Sequence, residues 1–546
     1  MGGPLADAGR KVLRNPEAAD DAAAASHVGP AGWSGSSGGP QGVEMVKRTG
    51  GALLLSMGLD RESARPISTQ LCMALREVIL SGGLSAGDRL PASRTLAKDL
   101  GISRTTVNEA FERLVAEGLI ESRVGAGTFV SQALKAERPM PPAGTRQGQQ
   151  AFRRPHLATA MTRAIGGFAE RQRLPHQPRA FVTALPALDA FPLAQWSRLM
   201  AKHWRGGRDE VMGYGDPNGY RPLRCAIAGH LRANRGITCE PEQIFITGGA
   251  QEAFHLIGSL LLNPGDKVWF ENPGAIGARN SFVACGADLV PVPIDGEGLR
   301  VDVGLEKAPR FRLAFVTPSH HQPLGAILSL ERRFALLQAA ERAASWIVED
   351  DYDGEFCYGR QPLPTLKSVD TTGRVIYVGT FSKSLFPSLR LGYLLAPPAL
   401  IPTFEHLMSA FLPGVPTSLQ AVTAAFIEEG YFVAHIRRMR KIYAERHQAL
   451  RDAAVQRLAG LLDVIPTDSG LHTVGYLPRG LSESAVAEAA ERRGITVSPI
   501  RRFSLKPTGI SGLVLGFGSI RAHEIRTGVE VLGQALEGMM RQKRRA

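Results

Sequence analysis

Apolar residues between positions 67 and 130 recur at the three- and four-residue spacing of amphipathic α-helices. The apolar face of the first predicted helix consists of Ile67, Leu71, Leu75, Val78 and Ile79. Pro91 is expected to open a second helix and Gly101 to end it. The apolar face of this second helix consists of Ala92, Leu96 and Leu100. The pattern therefore predicts two amphipathic helices before position 101.

A third predicted helix follows after an interval of only Gly101-Ile102, and Ser103 is expected to cap its start. Its apolar stripe consists of Val107, Ala110, Phe111, Leu114 and Val115. Two short helices joined by a tight turn that contains glycine form a helix-turn-helix. The next residues, LIESRVGAGTFV, have the pattern of a strand, a glycine-rich turn and a strand. Residues 61–131 are therefore predicted to form a winged helix-turn-helix domain of the α+β class.

The start of the third helix carries short polar and basic side chains on its polar face. Such side chains contact phosphates and base edges when a helix lies in the major groove of DNA. The candidate DNA-binding residues are Arg94, Ser103, Arg104, Thr105, Thr106 and Asn108, with Gly125 and Gly127 in the wing. Any small three-helix domain also needs polar residues on its surface, so these residues by themselves leave both interpretations open.

Residues 181–546 show a different pattern, in which short β-branched apolar runs alternate with long helical stretches. The runs include QIFITGG, KVWFEN, LAFVTPS, SWIVEDD and RVIYVGT. Alternation of this kind predicts an α/β domain whose mostly parallel sheet is covered by helices on both faces. The length of the region is sufficient for a large lobe and a smaller C-terminal lobe.

Two segments lack apolar periodicity. Residues 1–60 are predicted to be a disordered extension, since their first 44 residues are rich in Gly, Ala, Ser and Asp. Residues 132–180 are rich in Pro, Gln and Arg and contain nine basic and two acidic residues. This composition predicts a basic, flexible linker. A solvated linker and one that touches DNA phosphates both fit it.

The charge and cysteine content narrow the class of protein. The 546 residues include 64 Lys and Arg against 51 Asp and Glu, a net charge of +13 that permits an anionic partner such as nucleic acid. The five cysteines are scattered and form no CxxC pair, so we expect neither a disulfide framework nor a metal site. No run approaches the ~18–20 apolar residues of a membrane span, and the first residues lack the apolar core of an export signal. We therefore expect a cytoplasmic protein that does not enter a membrane.

The candidate chemistry of the large domain centres on a lysine that follows the apolar run RVIYV. Lys383 stands close in sequence to Thr380, Ser382 and Arg390. A lysine that is sheltered from water loses its proton at modest pH, as a nucleophile that attacks a carbonyl requires. Hydroxyl groups and an arginine within a few residues can cradle a phosphate. The segment therefore predicts a reactive amine beside a phosphate site.

Two further segments place polar groups after predicted strands. In WIVEDDYDGEF, Asp350 is suited to pair with a protonated pyridine nitrogen and Tyr352 to donate to a phenolic oxygen, which is how proteins tune pyridoxal phosphate. In FITGGAQEAFHLI, the N–H groups of Gly249, Ala250 and Gln251 would meet a phosphate at the positive end of a helix. Ligands of open parallel sheets bind beyond the carboxyl ends of the strands, where most of these residues fall.

The two halves of the chain resemble known families. REVILSGG through GAGTFV resembles the winged-helix domain of GntR-type bacterial repressors, through its RLP-S-R, LG-SR-TV, AEG and GAGTFV elements. The motifs of the large domain, in this order, resemble fold-type I aminotransferases over nearly all of residues 181–546. The chain thus has a GntR-type DNA-binding domain, called the reader below, followed by a basic linker and an aminotransferase-like domain. This order resembles that of the MocR/GabR family of bacterial transcription regulators. This resemblance implies pyridoxal 5'-phosphate as the cofactor.

The resemblance also implies a role for each motif residue. Lys383 matches the lysine that forms the internal aldimine, Asp350 the partner of the pyridine nitrogen, and Tyr352 the tyrosine at the phenolic oxygen. The residues that match phosphate ligands are Thr380, Ser382 and Arg390, with contacts from Ala250 and Gln251.

Two further positions complete the set of matched residues. Tyr214, in YGDPNGY, matches a tyrosine that reaches the phosphate from the neighbouring subunit, which implies a dimer. Gln322 stands where aminotransferases carry an asparagine near the same phenolic oxygen. A glutamine can donate the same hydrogen bond through a side chain that is longer by one methylene.

Two positions depart from the aminotransferase pattern. Ala275 stands where an aromatic ring usually stacks on the cofactor, a contact worth about 0.5–1.5 kcal/mol. His320 and Phe282 are the candidates to replace that ring. Val514 stands where transaminases carry the arginine that binds a substrate carboxylate. Arg521 and Arg279 lie near in sequence or in an earlier loop without the expected spacing, so ordinary amino-acid turnover is not implied.

The family organisation implies a head-to-tail homodimer that binds double-stranded operator DNA. We therefore expect a transcription regulator that senses an amine, an amino acid or pyridoxal phosphate itself through an aldimine on Lys383. One alternative is an active pyridoxal-phosphate-dependent aminotransferase with an accessory DNA-binding domain. Another is a large domain that serves only as a dimerisation scaffold.

Overall fold

The chain divides into two compact units, residues 1–153 and residues 154–546. The structure is a computed structural model that describes residues 59–123, 125–135, 157–171, 178–206, 208–358, 361, 363–412 and 414–545. The predicted disordered extension at 1–60 lies almost entirely outside the described residues. The middle of the predicted linker lies outside them as well.

The described residues of the amino-terminal unit include three helices followed by a hairpin. Its elements are α1 (Ile67–Ser81), α2 (Ser93–Leu100), α3 (Arg104–Ala116), β1 (Ile120–Arg123) and β2 (Gly127–Val130). The two strands are antiparallel, with Ile120 opposite Val130. Leu71, Leu75 and Leu114 are fully buried where α1 packs against α3. The winged helix-turn-helix predicted from the sequence is confirmed.

The turn between α2 and α3 depends on two residues. Gly101 ends α2 in the left-handed conformation with φ 64°, which a side chain would strain. Ser103 caps α3, because its Oγ accepts a hydrogen bond from the Thr106 N–H at 3.1 Å. Both positions match the prediction, so the turn is fixed by a local rule at each end.

Two details of the predicted apolar faces are wrong. Helix α2 begins at Ser93 rather than at Pro91, and Ala92 is extended and exposed. The helix therefore buries Leu96 and Ala97. Val115 is 42% exposed, because the stripe of α3 that faces α1 ends one residue earlier at Leu114.

Among its described residues, the larger unit contains one sheet of eight strands and one of four. The helices are α4 (Thr159–Gly167), α5 (Leu193–Gly206), α6 (Arg208–Met212), α7 (Arg221–Arg235), α8 (Ala250–Leu261), α9 (Ile276–Ala284), α10 (Val301–Lys307), α11 (Leu330–Arg342), α12 (Phe381–Ser384), α13 (Ile401–Phe411), α14 (Thr417–Glu428), α15 (Tyr431–Arg457), α16 (Glu483–Glu491) and α17 (Ala522–Arg545). The strands are β3 (Ile244–Thr247), β4 (Lys267–Asn272), β5 (Asp288–Asp295), β6 (Gly298–Leu299), β7 (Leu313–Val316), β8 (Trp346–Asp350), β9 (Val375–Thr380), β10 (Gly392–Leu395), β11 (Asp463–Val464), β12 (His472–Tyr476), β13 (Ser498–Pro499) and β14 (Gly512–Gly516).

The eight strands are ordered β3-β10-β9-β8-β7-β4-β5-β6. Pairs β4–β5, β4–β7, β7–β8 and β8–β9 are parallel, whereas β10 is antiparallel to both of its neighbours. Because β8 and β9 are parallel neighbours, their carboxyl ends lie at one edge of the sheet. The mostly parallel sheet predicted from the sequence is confirmed.

Helices cover the sheet on both faces, as its continuous apolar strands require. Along β4, Val268 and Phe270 pack with the residues of α8, α9 and α13. Trp269 points to the other face, where it stacks on Phe311 beside α10 and α11. The alternation of side chains along each strand thus supplies two apolar layers.

A smaller lobe follows the long helix α15. Its four strands, in the order β11-β12-β14-β13, are antiparallel, and α16 and α17 pack with them. Across the described residues, we find no helix that combines the length and the apolar character of a membrane span.

Part of the predicted flexible linker is helical. Residues Thr159–Gly167 form α4, which packs against α9 and buries Ala164. The composition of 132–180 predicted a tether throughout, because the residues that stabilise α4 are more than a hundred positions away. The stretch from 157 to 171 belongs structurally to the larger unit.

Candidate functional site

The predicted DNA-reading residues lie at the start of α3 and on the helix before it. Arg94, Arg104 and Thr105 are exposed, and Arg104 donates a hydrogen bond to the Ser93 hydroxyl at 3.4 Å. Thr106 and Asn108 are half-buried. The Ser103 and Thr106 hydroxyl oxygens lie 2.8 Å apart within the cap, so both hydroxyls already have a structural role. DNA contact by these residues stays a prediction.

The wing adds two arginines that the sequence reasoning missed. Gly125 and Gly127 both have positive φ, 75° and 110°, and shape the turn. The guanidinium groups of Arg89 and Arg123 lie 6.0 and 5.1 Å from the centre of the Phe129 ring. Arg89 was visible in the RLP element, but only the fold brings it to the wing.

A cavity of about 250 Å³ opens beyond the carboxyl ends of β8 and β9. The sequence-predicted residues that line it are Gly249, Ala250, Gln251, Gln322, Asp350, Tyr352, Thr380, Ser382, Lys383 and Arg390. Residues from four separate segments of the sequence therefore meet at one place. Of the predicted cofactor ligands, Tyr214 does not line the cavity.

Lys383 lies on the short helix α12, directly after β9. The Thr380 hydroxyl accepts a hydrogen bond from the Ser382 N–H at 3.2 Å and so fixes the start of that helix. The Lys383 ammonium donates to the Ala184 carbonyl oxygen at 2.7 Å. Burial lowers the pKa of Lys383 to about 8, and the nearby Arg171 acts in the same direction. The amine is thus available as a nucleophile near neutral pH.

Asp350 ends β8 and is buried. Its Oδ1 atom has no hydrogen-bond partner among the described residues. Burial and the neighbouring Asp351 and Asp353 carboxylates raise the pKa of Asp350 well above its ordinary value. A buried carboxylate without a partner is costly, and a protonated ring nitrogen would supply both a donor and a positive charge. The site therefore fits a pyridine ring.

Tyr352 belongs to a buried hydrogen-bonded chain. The His320 Nδ1 atom lies 2.9 Å from Oδ2 of Asp353 and 3.2 Å from the Tyr352 hydroxyl. If the Nδ1–H points to the Asp353 carboxylate, the tyrosine proton is free to turn into the cavity. On the opposite side, the Gln322 N–H donates to the Thr317 hydroxyl at 3.2 Å, which holds the glutamine at the cavity wall.

The predicted phosphate cradle lies where α8 begins. Gly249 has φ 117°, and its backbone approaches so closely to β10 that a Cβ on Gly392 would lie 2.9 Å from it. Arg390 also has a positive φ, 51°, and its guanidinium faces Gly249. The N-terminus of α8 and these side chains together form a site suited to an oxyanion.

Tyr214 is fully exposed, immediately after α6. In its own chain it makes no contribution to the cavity. The role that the resemblance implies for it, in the pocket of a second subunit, stays a prediction.

Neither candidate for the missing stacking ring lines the cavity. Phe282 packs in the core with Phe254 and Phe315, and His320 lies behind Tyr352. Ala275 and Phe503 lie in the cavity wall instead. The prediction that His320 or Phe282 replaces the stacking ring is therefore wrong.

The carboxylate-binding arginine of transaminases has no counterpart at position 514. Val514 is buried in β14 beside a small recess that Leu471 and Phe503 line together with polar residues such as Lys383. Arg521 lies 3.4 Å from the Asp189 carboxylate, and Arg279 donates to the Ser504 carbonyl at 3.2 Å, so neither faces the cavity. Arg171 and Arg502 do line the cavity, and sequence reasoning missed both because no motif marks them.

Two family models match the chain, "Bacterial regulatory proteins, gntR family" over residues 67–130 and "Aminotransferase class I and II" over residues 186–512. The probable rhizopine catabolism regulatory protein MocR of Rhizobium meliloti is 39% identical over 481 residues, which are 87% of this chain and 95% of that protein. The HTH-type transcriptional regulator TauR of Rhodobacter capsulatus is 36% identical over 393 residues, which are 70% of this chain and 78% of that protein.

Solved aminotransferase structures share the fold of the larger unit. The α-aminoadipate aminotransferase LysN of Thermus thermophilus, complexed with N-(5'-phosphopyridoxyl)-L-leucine, matches with a TM-score of 0.62 and 27% identity, over 70% of this chain and 96% of that one. A winged helix-turn-helix joined to a fold-type I domain with this site defines a transcription regulator whose large domain takes pyridoxal phosphate. The chain belongs to the MocR/GabR family of GntR-type regulators.

Proposed function

We propose that this regulator senses an amine, an amino acid or pyridoxal phosphate itself through a covalent bond to Lys383, and that the bound state changes its affinity for operator DNA. One observation carries the proposal. A lysine with a lowered pKa and a buried carboxylate without a partner face the same cavity, in a chain that also has a DNA-reading domain. We place this activity in the cytoplasm, where operator DNA is accessible.

When pyridoxal phosphate is bound, its aldehyde carbon supplies a reversible point of attachment for primary amines. Lys383 provides the resident amine, which is largely neutral above pH 8. Asp350 would hold a proton on the ring nitrogen of the cofactor, and Tyr352 would donate its hydroxyl proton towards the ring oxygen. The Ala184 carbonyl accepts a hydrogen bond from Lys383 whenever that amine is free.

The residues at the start of α8 and α12 would hold the phosphate group. Ala250 and Gln251 are the first residues of α8, whose N–H groups have no acceptor within the helix, and Thr380, Ser382 and Arg390 line the same cavity. An exposed Tyr214 completes the cradle of a second subunit, which makes the site of each chain dependent on a head-to-tail homodimer.

A ligand changes DNA binding only through a difference in its affinity for two arrangements of the protein. A dimer with two readers recognises two half-sites at a spacing that the large domains set. Arg94, Arg104, Thr105 and Asn108 are the side chains that we expect to touch DNA, with Gly125 and Gly127 bringing the wing backbone to a phosphate. The net charge of +13 should make binding strongly dependent on salt.

The experiment is a joint titration. Primary amines and amino acids are added to the full-length protein with pyridoxal phosphate, and absorbance and operator-DNA affinity are recorded in the same samples. We expect an effective ligand to change both signals with the same midpoint, and Lys383→Ala to abolish both responses. Lys441→Ala, which removes an exposed amine on α15, is the matched control and should respond as the wild type does.

The alternative function, an active aminotransferase, has the fold likeness to LysN in its favour. Against it stands Val514, which lies in the recess beside Lys383 where transaminases carry the arginine that binds a substrate carboxylate. Release of a keto acid from an amino donor separates the two functions. Many turnovers per subunit would favour the enzyme, and one turnover or fewer would favour the sensor.

A further inference from the structure

The end of the linker is attached to the wall of the cavity by hydrogen bonds from two residues of the larger unit. Asn280 on α9 binds both main-chain groups of Ala169, since its Oδ1 accepts from the Ala169 N–H at 2.9 Å and its Nδ2 donates to the Ala169 carbonyl at 2.8 Å. The Arg502 guanidinium donates to the Glu170 carbonyl at 3.1 Å. The backbone before Arg171 is thereby held against the larger unit.

The attachment is also a packing contact. Ala164 on α4 is buried, and a Cβ on Gly167 would lie 3.1 Å from the Val283 side chain. The helix that it packs on, α9, begins with the residues Ile276, Gly277 and Ala278 that line the cavity. The segment 159–171 therefore rests on the element that forms one wall of the pocket.

Arg171 extends from this segment into the cavity. Its guanidinium donates a hydrogen bond to the Gln251 side-chain oxygen at the start of α8. Arg171 and Arg502 line the same cavity as Lys383 and Arg390. Neither Arg171 nor Arg502 forms an ion pair within the part of the chain that the structure describes. Two unneutralised guanidinium groups at the mouth of a pocket attract an oxyanion.

We propose that Arg171 and Arg502 form an oxyanion-binding clamp, through which an anion in the pocket holds the linker segment 159–171 on the larger unit. The anion is either the phosphate of the cofactor or an acid group on the sensed amine, and both have the charge and the acceptor oxygens that two guanidinium groups bind. The inference rests on the proposed function, because it assumes that this cavity receives the cofactor.

The clamp gives the linker a direct link to the ligand. Without the anion, the segment loses the attraction that Arg171 and Arg502 contribute, and its detachment becomes more frequent. Thirteen released residues would extend the tether between the larger unit and the reader by up to about 45 Å. A bound anion then favours the short tether, and its loss favours the long one, which changes how the two readers of a dimer reach DNA.

The test uses full-length protein and four variants, Arg171→Ala, Arg171→Lys, Arg502→Ala and Arg163→Ala. Arg163 is an exposed arginine on α4 that does not line the cavity, so its loss controls for a change in linker charge. Affinities for pyridoxal phosphate and for pyridoxal, which lacks the phosphate, are measured by absorbance. Linker exposure is followed with a protease that cuts at apolar residues, because the substitutions remove arginines.

If the cofactor phosphate is the anion, Arg171→Ala should lower the affinity for pyridoxal phosphate about tenfold and the affinity for pyridoxal less than twofold. The same substitution should also increase the rate of cleavage within 159–171. If the anion is on the amine, both cofactor affinities should stay unchanged. The affinity for an amine with an acid group should then fall about tenfold, and the affinity for the matching amine without that group should not change. In either case Arg502→Ala should act in the same direction, and Arg171→Lys should recover part of the loss.

The clamp is overturned if Arg171→Ala and Arg163→Ala behave alike with every probe while both unfold at the wild-type temperature. That result leaves the proposed function intact, provided that the wild type still attaches the cofactor at Lys383. Conversely, if the wild type never attaches the cofactor at Lys383, the proposed function is wrong, whatever the arginine variants do.

Discussion

The pH dependence of cofactor attachment at Lys383 can be calculated from the pKa of its amine. Burial lowers the pKa of this amine from 10.5 to about 8, with Arg171 contributing and the Asp353 and Asp350 carboxylates opposing. At pH 7 about one amine in ten is then neutral, against about one in three thousand for a lysine in water. The pocket therefore increases the reactive fraction by about 300-fold.

The sign of the pH dependence follows from the form that reacts. Only the neutral amine attacks an aldehyde, so the rate of capture should rise about tenfold per pH unit below the pKa and level off above it. Asp350→Asn removes a carboxylate that favours the protonated amine, so it should move the midpoint to lower pH. Arg171→Ala removes a positive charge and should move the midpoint to higher pH.

The assay mixes cofactor-free protein with pyridoxal phosphate between about pH 6 and pH 10 and follows absorbance with time. Lys441→Ala, on the surface of α15, should reproduce the wild-type profile. A wild-type midpoint close to 10.5, the ordinary lysine value, would show that burial does not lower the pKa of Lys383. Midpoints that do not move in opposite directions in the Asp350 and Arg171 variants would contradict the effects of these two charges.

Three further changes test other parts of the chain. Arg104→Ala should weaken binding to any duplex and reduce the slope of log affinity against log salt by about one, as seen by fluorescence anisotropy, and an unchanged slope would exclude a phosphate contact. Ser103→Ala removes the cap of α3 and should lower the free energy of unfolding of the reader by about 1 kcal/mol in a denaturant titration, whereas no loss would mean that the cap is dispensable. Gly392→Ala puts a Cβ 2.9 Å from the Gly249 backbone, so the cradle must shift and cofactor affinity should drop more than tenfold. Gly229→Ala, in open space on α7, is its control, and equal affinities of the two variants would contradict the described cradle.

The parts of the molecule that follow local rules could be predicted from the sequence. Gly101 and Ser103 determine the turn of the reader through a left-handed φ and a side-chain cap, which depend on neighbours within four residues. Lys383 and Asp350 stand at the ends of apolar strands, and parallel strands bring such ends together. Periodicity and strand-end chemistry are therefore sufficient for the fold class and the centre of the cavity.

The parts of the molecule that depend on distant contacts could not be predicted from the sequence. Arg171 reaches the cavity because Asn280 and Arg502 hold the backbone before it, and these residues are more than a hundred positions away. The same packing makes residues 159–167 helical within a segment whose composition predicted a tether. Phe282 was a reasonable substitute ring by type, but the register of α9 turns it into the core with Phe254 and Phe315.

The proposed function requires that the amine of one residue, Lys383, carry the cofactor in a protein that also binds operator DNA. The most direct measurement reduces the full-length protein with borohydride in the presence of pyridoxal phosphate, digests it and maps the pyridoxyl-bearing peptide by mass spectrometry. We predict a single major label, on Lys383 in the peptide that spans VGTFSKSLF, and its loss in Lys383→Ala. Label spread over surface lysines such as Lys441, or none at position 383, would contradict the proposed function.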